Sequence, residues 1–117
     1  MAFIKGGMEM DKWVLLIGTN CSDVSKEKEF NDWYDNIHLS DILETPGFTA
    51  AVRYENASPA EGEAKYLAAY HIETGDIEGF MKQHQEDLAG KREAGRFSPL
   101  LQVVSRGLYR QIGSLYK

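Results

Sequence analysis

Apolar residues along this chain follow two different periods, and the switches between them predict its elements. Trp13-Val-Leu-Leu-Ile17 is a short continuous apolar run ended by Gly18, the pattern of a strand covered on both faces. Ser22-Asp-Val-Ser25 then supplies helix-capping side chains, and Glu27 and Glu29 set carboxylates at the positive end of a helix dipole. Phe30, Trp33, Tyr34 and Ile37 recur at i, i+3, i+4 and i+7, which is one apolar stripe of a helix over 25–38. Ser40 is expected to cap a further short turn, Asp41–Glu44. Thr45 before Pro46 is pushed out of helical geometry, and Gly47 completes the stop.

From Phe48 to Glu55 the period is two. Phe48, Ala50, Val52 and Tyr54 face one way, and Thr49, Ala51, Arg53 and Glu55 the other. Asn56 to Glu63, with Ser58-Pro59 and Gly62, is a loop. Lys65 to Ile72 alternates again, with Tyr66, Ala68, Tyr70 and Ile72 on one face and Leu67, Ala69 and His71 on the other. Asp76 caps a second helix over 76–90, in which Ile77, Phe80, Met81, His84 and Leu88 keep helical spacing. Gly90 is expected to end or kink it. After Pro99, Leu100 to Arg106 reads as a fourth strand, and Leu108 to Ile112 as a short fifth strand or a C-terminal arm.

The strands are thus expected near 12–18, 48–55, 65–72 and 99–107. The order β-α-β-β-α-β is the split βαβ motif: an α+β, ferredoxin-like fold with a four-stranded antiparallel sheet and both helices on one face. Nothing in the chain covers the other face, although the first two strands are apolar on both sides. Sheet-to-sheet packing with a second copy, giving a homodimer, would cover it.

Composition narrows the setting. A length of 117 residues fits one domain, 1–117, with 1–11 as a loose N-terminal extension. Hydrophobic residues at 43% against 26% charged residues indicate a globular chain rather than a disordered one. The net charge is −5 and Lys91-Arg92 is the densest basic pair, so neither nucleic acid nor an anionic membrane is an expected partner. No apolar run approaches the roughly 20 residues of a membrane span, and the start lacks a signal-peptide stretch. Cys21 is the only cysteine, so no internal disulfide is possible, and a reducing, cytoplasmic location is expected.

One block carries a family resemblance. Phe30-Asn-Asp-Trp-Tyr-Asp-Asn-Ile-His38, then Asp41-Ile-Leu43, then Pro46-Gly-Phe48, with Arg53-Tyr54 closing the next strand, resembles the dimeric α+β barrel superfamily, closest to its EthD-like branch. The block covers about 25 residues, and the element order agrees over nearly the whole chain. The resemblance implies a homodimer whose sheets close into a barrel, with a pocket in each subunit between helices and sheet. That superfamily includes cofactor-free polyketide cyclases, quinone-forming monooxygenases, lactone isomerases, haem enzymes and members with no known activity. Fold therefore does not fix chemistry.

His38 is the main candidate for chemistry. It closes the first helix four residues after Tyr34 and three before Asp41, so Tyr34 and His38 share a helix face. It is expected to be half solvated, with a pKa near neutrality and a carboxylate nearby to fix its tautomer, as suits general acid–base work. The competing role is a helix cap. Tyr34 would donate a hydrogen bond, and Trp33 is a core residue or a wall of the site. Arg53, within a strand, needs an anion: a substrate oxyanion, or a carboxylate such as Glu55 or Asp35. Tyr70 and His71 end the third strand, and His84 sits on the apolar stripe of the second helix; each is a candidate pocket residue beside Asp41. No metal site is expected, since His38 and Asp41 lack a third nearby ligand. No phosphate loop or dinucleotide motif occurs, and no cofactor is expected.

These residues suggest a small cofactor-independent enzyme doing proton-transfer chemistry, as a cyclase, isomerase, dehydratase or lyase, on an aromatic or polyketide-like molecule. The expected pocket is a few hundred Å³ (on the order of 300) and hydrophobic. The alternatives are a non-catalytic binding or accessory protein of the same fold and a cofactor-free monooxygenase.

Overall fold

The structure, a computed structural model, describes residues 10–117; residues 1–9, most of the expected N-terminal extension, lie outside it. Four strands form in the expected order: β1 (Asp11–Cys21), β2 (Phe48–Glu55), β3 (Tyr66–Thr74) and β4 (Leu101–Arg110). The helical segments are α1 (Glu27–Trp33), a π-helical turn (Tyr34–His38), α2 (Leu39–Ile42) and α3 (Ile77–Glu93). A 3-10 turn at Val24–Lys26 precedes α1, and Asp23 caps it by accepting the Ser25 N–H at 3.0 Å. The sheet order is β2-β3-β1-β4 with every pairing antiparallel, so β3 lies between the two strands that α1 and α2 connect. That is the split βαβ arrangement.

The helices cover one face of the sheet. Leu15 pairs with Tyr70, Ile17 with Ala68 and Thr19 with Tyr66, so these side chains share that face. They meet Phe30, Tyr34, Ile42 and Phe80 in the core. Phe30 is completely buried, and burial of a side chain of its size contributes roughly 2–3 kcal/mol. The opposite face carries Val14 and Leu16, both half-buried, with Val52, Tyr54, Val104 and Tyr109 exposed. Among the described residues, the two-sided cover expected for β1 is therefore not supplied. Among the described residues no helix is long and apolar enough to cross a membrane.

Four local expectations need correction. The strict alternation expected for β2 is broken by a bulge between Phe48 and Ala50. Phe48 pairs with Ile72, Ala51 with Tyr70 and Arg53 with Ala68, so Phe48 joins Ala51 and Arg53 on the helix-covered face. A pattern of period two cannot register an inserted residue. Second, α3 passes through Gly90 and ends three residues later. An interior glycine costs about 1 kcal/mol without forbidding a helix. The stop comes at Gly95, with φ of +77°, where the Gly95 N–H bonds the Arg92 carbonyl and the Arg96 N–H bonds the Lys91 carbonyl. Third, Leu108 to Arg110 prolong β4 and form no fifth strand.

The fourth correction shapes the site. The first helix does not restart at Ser40 but runs unbroken into α2, and the Ser40 hydroxyl donates to the Ile37 carbonyl at 3.0 Å. Continuity depends on the π turn, in which the Leu39 N–H bonds the Tyr34 carbonyl five residues back. One additional residue rotates everything beyond it by about 100° relative to an uninterrupted α-helix. Ile37, expected on the apolar stripe, is accordingly 37% exposed, and His38 takes the inward position at 6%.

Candidate functional site

The inward turn of His38 places its imidazole among rings. It stacks on Trp33, with centroids 4.5 Å apart, and meets the edges of Tyr34 at 4.9 Å and Phe97 at 5.2 Å. It makes no hydrogen bond to a carbonyl of its own helix, which continues past it, so it does not act as a cap. Burial destabilises the imidazolium and lowers the His38 pKa to about 4; the Asp41 carboxylate partly opposes this, while the charges of Arg53 and His84 add to it. The half-solvated, near-neutral histidine expected from its position is therefore absent: His38 is an uncharged base in an apolar pocket.

That pocket is a cavity of about 80 Å³ between helices and sheet, smaller than expected. Its floor is Leu15, Ile17 and Thr19 of β1 and Tyr70 of β3, and its sides are Tyr34, His38 and Ile42. From α3 come His84, Leu88 and Arg92, one face of the helix at i, i+4 and i+8. Phe97, Leu101, Val103 and Arg106 complete it. The Tyr34 and Tyr70 hydroxyls lie 3.2 Å apart, and burial raises the pKa of both. Burial likewise lowers the His84 pKa, and His84 Nδ1 is buried with no hydrogen-bond partner among the described residues. Two neutral imidazoles and a pair of protonated phenols thus share one small apolar space.

Other candidate residues lie around this space rather than in it. Trp33 is the wall behind His38 and donates its indole N–H to the Arg96 carbonyl at 3.0 Å. Asp41, 7% exposed, is held by Arg96 through two hydrogen bonds of 2.6 and 3.1 Å. That pairing keeps the Asp41 carboxyl below the usual carboxylate range and fixes the segment that carries Phe97. Arg53 lies over the outer side of the Tyr34 ring at 4.2 Å and donates to Asp35 at 2.9 Å and Asn31 at 2.8 Å. It does not reach the cavity, and Asp35 was among the partners expected for it. His71 is exposed on the opposite face of the sheet, in an open depression of about 580 Å³ with Val14 and Tyr109. A second such depression, about 510 Å³, lies at Gly18, Tyr54 and Leu67. Both belong to the uncovered face.

Thr19, Phe97, Arg92 and Arg106 were not expected in the site. The spacing from His84 to Leu88 to Arg92 was a usable signal. Arg106 was not legible, because only its pairing opposite Ile17 places it on the cavity side.

The fold and site define an α+β domain of ferredoxin-like topology with a cavity enclosed between its helices and its sheet. Residues 14–106 match the family described as Domain of unknown function (DUF4286), and the chain belongs to that family. Over 47 residues it is 40% identical to Core atranone cluster (CAC) protein 1 of Stachybotrys chlorohalonatus (strain IBT 40285), a match covering 40% of this chain and 20% of that protein. The chain thus matches only a fifth of that curated relative's length. Among solved structures, HapK from Hahella chejuensis superposes with a TM-score of 0.65 at 21% identity, covering 90% of this chain and 97% of that one. An EthD family protein from Bacillus halodurans C-125 gives 0.54 at 18%, covering 87% and 99%. SnoaB, a cofactor-independent oxygenase from Streptomyces nogalater, gives 0.54 at 12%, covering 93% and 99%. The fold is shared with these solved proteins, one of them an EthD family protein, in agreement with the fold that the Phe30–Tyr54 block implied.

Burial of neutral His38 has a measurable cost. Its pKa is about 4 when folded, against 6.5 as the ordinary value, so between these values the unfolded chain binds the proton more readily. Stability from this source is complete above the higher value and is lost as pH falls toward the lower one. Between about pH 7 and pH 5 the loss should be about 2 kcal/mol, ahead of the carboxylates, which titrate lower. Urea unfolding at the two pH values should show that loss in the native protein and a distinctly smaller one in His38→Gln. Equal losses in both would contradict the assignment.

Proposed function

We propose that this protein is a cofactor-free enzyme that moves a proton on a small aromatic or polyketide-like carbonyl compound held in the cavity. The observation that carries the reading is the grouping of an uncharged buried histidine and a phenol pair in one apolar space. His38 would accept a proton from carbon next to the carbonyl. The Tyr34–Tyr70 hydroxyl pair would donate to the oxygen on which negative charge develops. Return of the proton to a different carbon gives an isomerisation, and its use in expelling a hydroxyl gives a dehydration.

A histidine with a low pKa is a weak base at rest. It strengthens when an anion forms beside it, because the opposite charge stabilises the imidazolium. The site thus favours proton removal only where the enolate is being made. Arg53 has a positioning role in this scheme: its charge behind the Tyr34 ring favours electron density on the phenol oxygen. A substrate the size of one aromatic ring exceeds the closed cavity, since about 150 Å³ holds benzene. Entry would require a lining side chain to yield, and in this reading that side chain is Phe97, which follows the Gly95 turn.

A cofactor-free monooxygenase is the second reading, favoured by the likeness in fold to SnoaB. The two separate on oxygen consumption, which proton transfer alone does not require. In either case the protein would work as a homodimer, with the exposed Val52, Tyr54, Val104 and Tyr109 covered by a second sheet.

Two outcomes are expected. Ring-substituted acetophenones incubated in deuterium oxide with the protein should exchange their methyl protons faster than with His38→Gln, followed by proton NMR. Equal exchange with both proteins, across the series, would remove His38 from the mechanism. Light scattering should return twice the 13.2 kDa of one chain, whereas a single-chain mass would count against the covered sheet.

A further inference from the structure

Arg92 and Arg106 line the cavity from opposite supports, one on the last turn of α3 and the other on β4. Neither forms an ion pair with a described residue, although the other arginines of the helix-covered region, Arg53 and Arg96, are both paired to aspartates. The cavity lining contains no carboxylate to answer them. Arg92 lies over the Phe97 ring at 4.3 Å. Two arginines thus border one small apolar space whose lining offers them no carboxylate, and in a chain of net charge −5 such a pairing does not follow from composition.

We propose that Arg92 and Arg106 are specificity-determining residues, selecting a substrate that carries an anionic oxygen group on a ring-sized apolar body. This rests on the proton-transfer reading of the cavity and supplies its substrate class. The anionic group is held at the two guanidiniums, whose planar forks match a carboxylate or phenolate oxygen. The apolar body then lies against Tyr34 and His38, with Phe97 displaced. The arrangement separates the charge already on the substrate from the charge that forms at the phenol pair.

Titration with benzoate and with its neutral isostere benzamide tests this, read from the His38 and His84 imidazole signals and the amides of both arginines. Benzoate should bind about tenfold more tightly than benzamide, and the preference should disappear in the double variant Arg92→Gln/Arg106→Gln while benzamide affinity holds. Both arginines are exposed, so the variants should fold as the native chain does. If the two ligands bind the native cavity equally, the arginines do not select charge, and the proposal falls while the cavity reading stands. If neither ligand moves the two imidazoles up to its solubility limit, both fall together.

Discussion

One additional residue in a helical turn decides what this cavity contains. With an uninterrupted α-helix after Trp33, Ile37 would continue the apolar stripe of Phe30, Trp33 and Tyr34 toward the sheet. With the π turn at Tyr34–His38, Ile37 is exposed and His38 lies in the aromatic cluster. Apolar burial alone does not favour this exchange, since an isoleucine is given up to water and an imidazole is taken in. What offsets it is the stacking on Trp33 and the edge contacts with Tyr34 and Phe97, and burial keeps the imidazole neutral. A π turn found at such a position often accompanies a functional site.

The rest of the site follows from holding that histidine in place. Asp41, one turn further on, is brought to Arg96, and this pair anchors the segment that presses Phe97 onto the His38 ring. Trp33 is tied to the same segment through the Arg96 carbonyl. On the other side, Arg53 is anchored by Asp35 and Asn31 and backs the Tyr34 ring. These ion pairs therefore brace the cavity from outside, and apart from Arg92 and Arg106 its lining offers only neutral donors and acceptors. In a low-dielectric space such groups interact more strongly with a charge that appears than they would in water.

Much of the fold was legible in the sequence because it depends on local pattern. The alternation of Tyr66, Ala68, Tyr70 and Ile72, the Asp76 cap, and the Pro46-Gly47 turn each state their geometry within a few residues. Gly47, with φ of +116° and its α-carbon close under Phe80, has little room for any side chain. The features that were missed depend on inserted residues or on distant partners. Neither the bulge at Phe48/Ala50 nor the π turn changes composition, so counting by two or by 3.6 passes over both. Within the site, Tyr34 was recognisable as a hydrogen-bond donor, and His38 and Tyr70 as candidate site residues. Arg53 was recognisable as needing an anion. That Asp41 would be occupied by Arg96, and that His71 would face away, required the third dimension, because the sheet register and the C-terminal stop of α3 set both.

The claim on which all of this rests is that His38 is buried and uncharged beside the phenol pair. Nitrogen-15 NMR of the imidazole ring, followed against pH in the folded protein, measures it directly. The signals of His38 should keep their neutral positions through the range where ordinary histidines titrate, with a midpoint at about 4. A midpoint for His38 near 6.5, with full protonation before the fold is lost, would contradict the account.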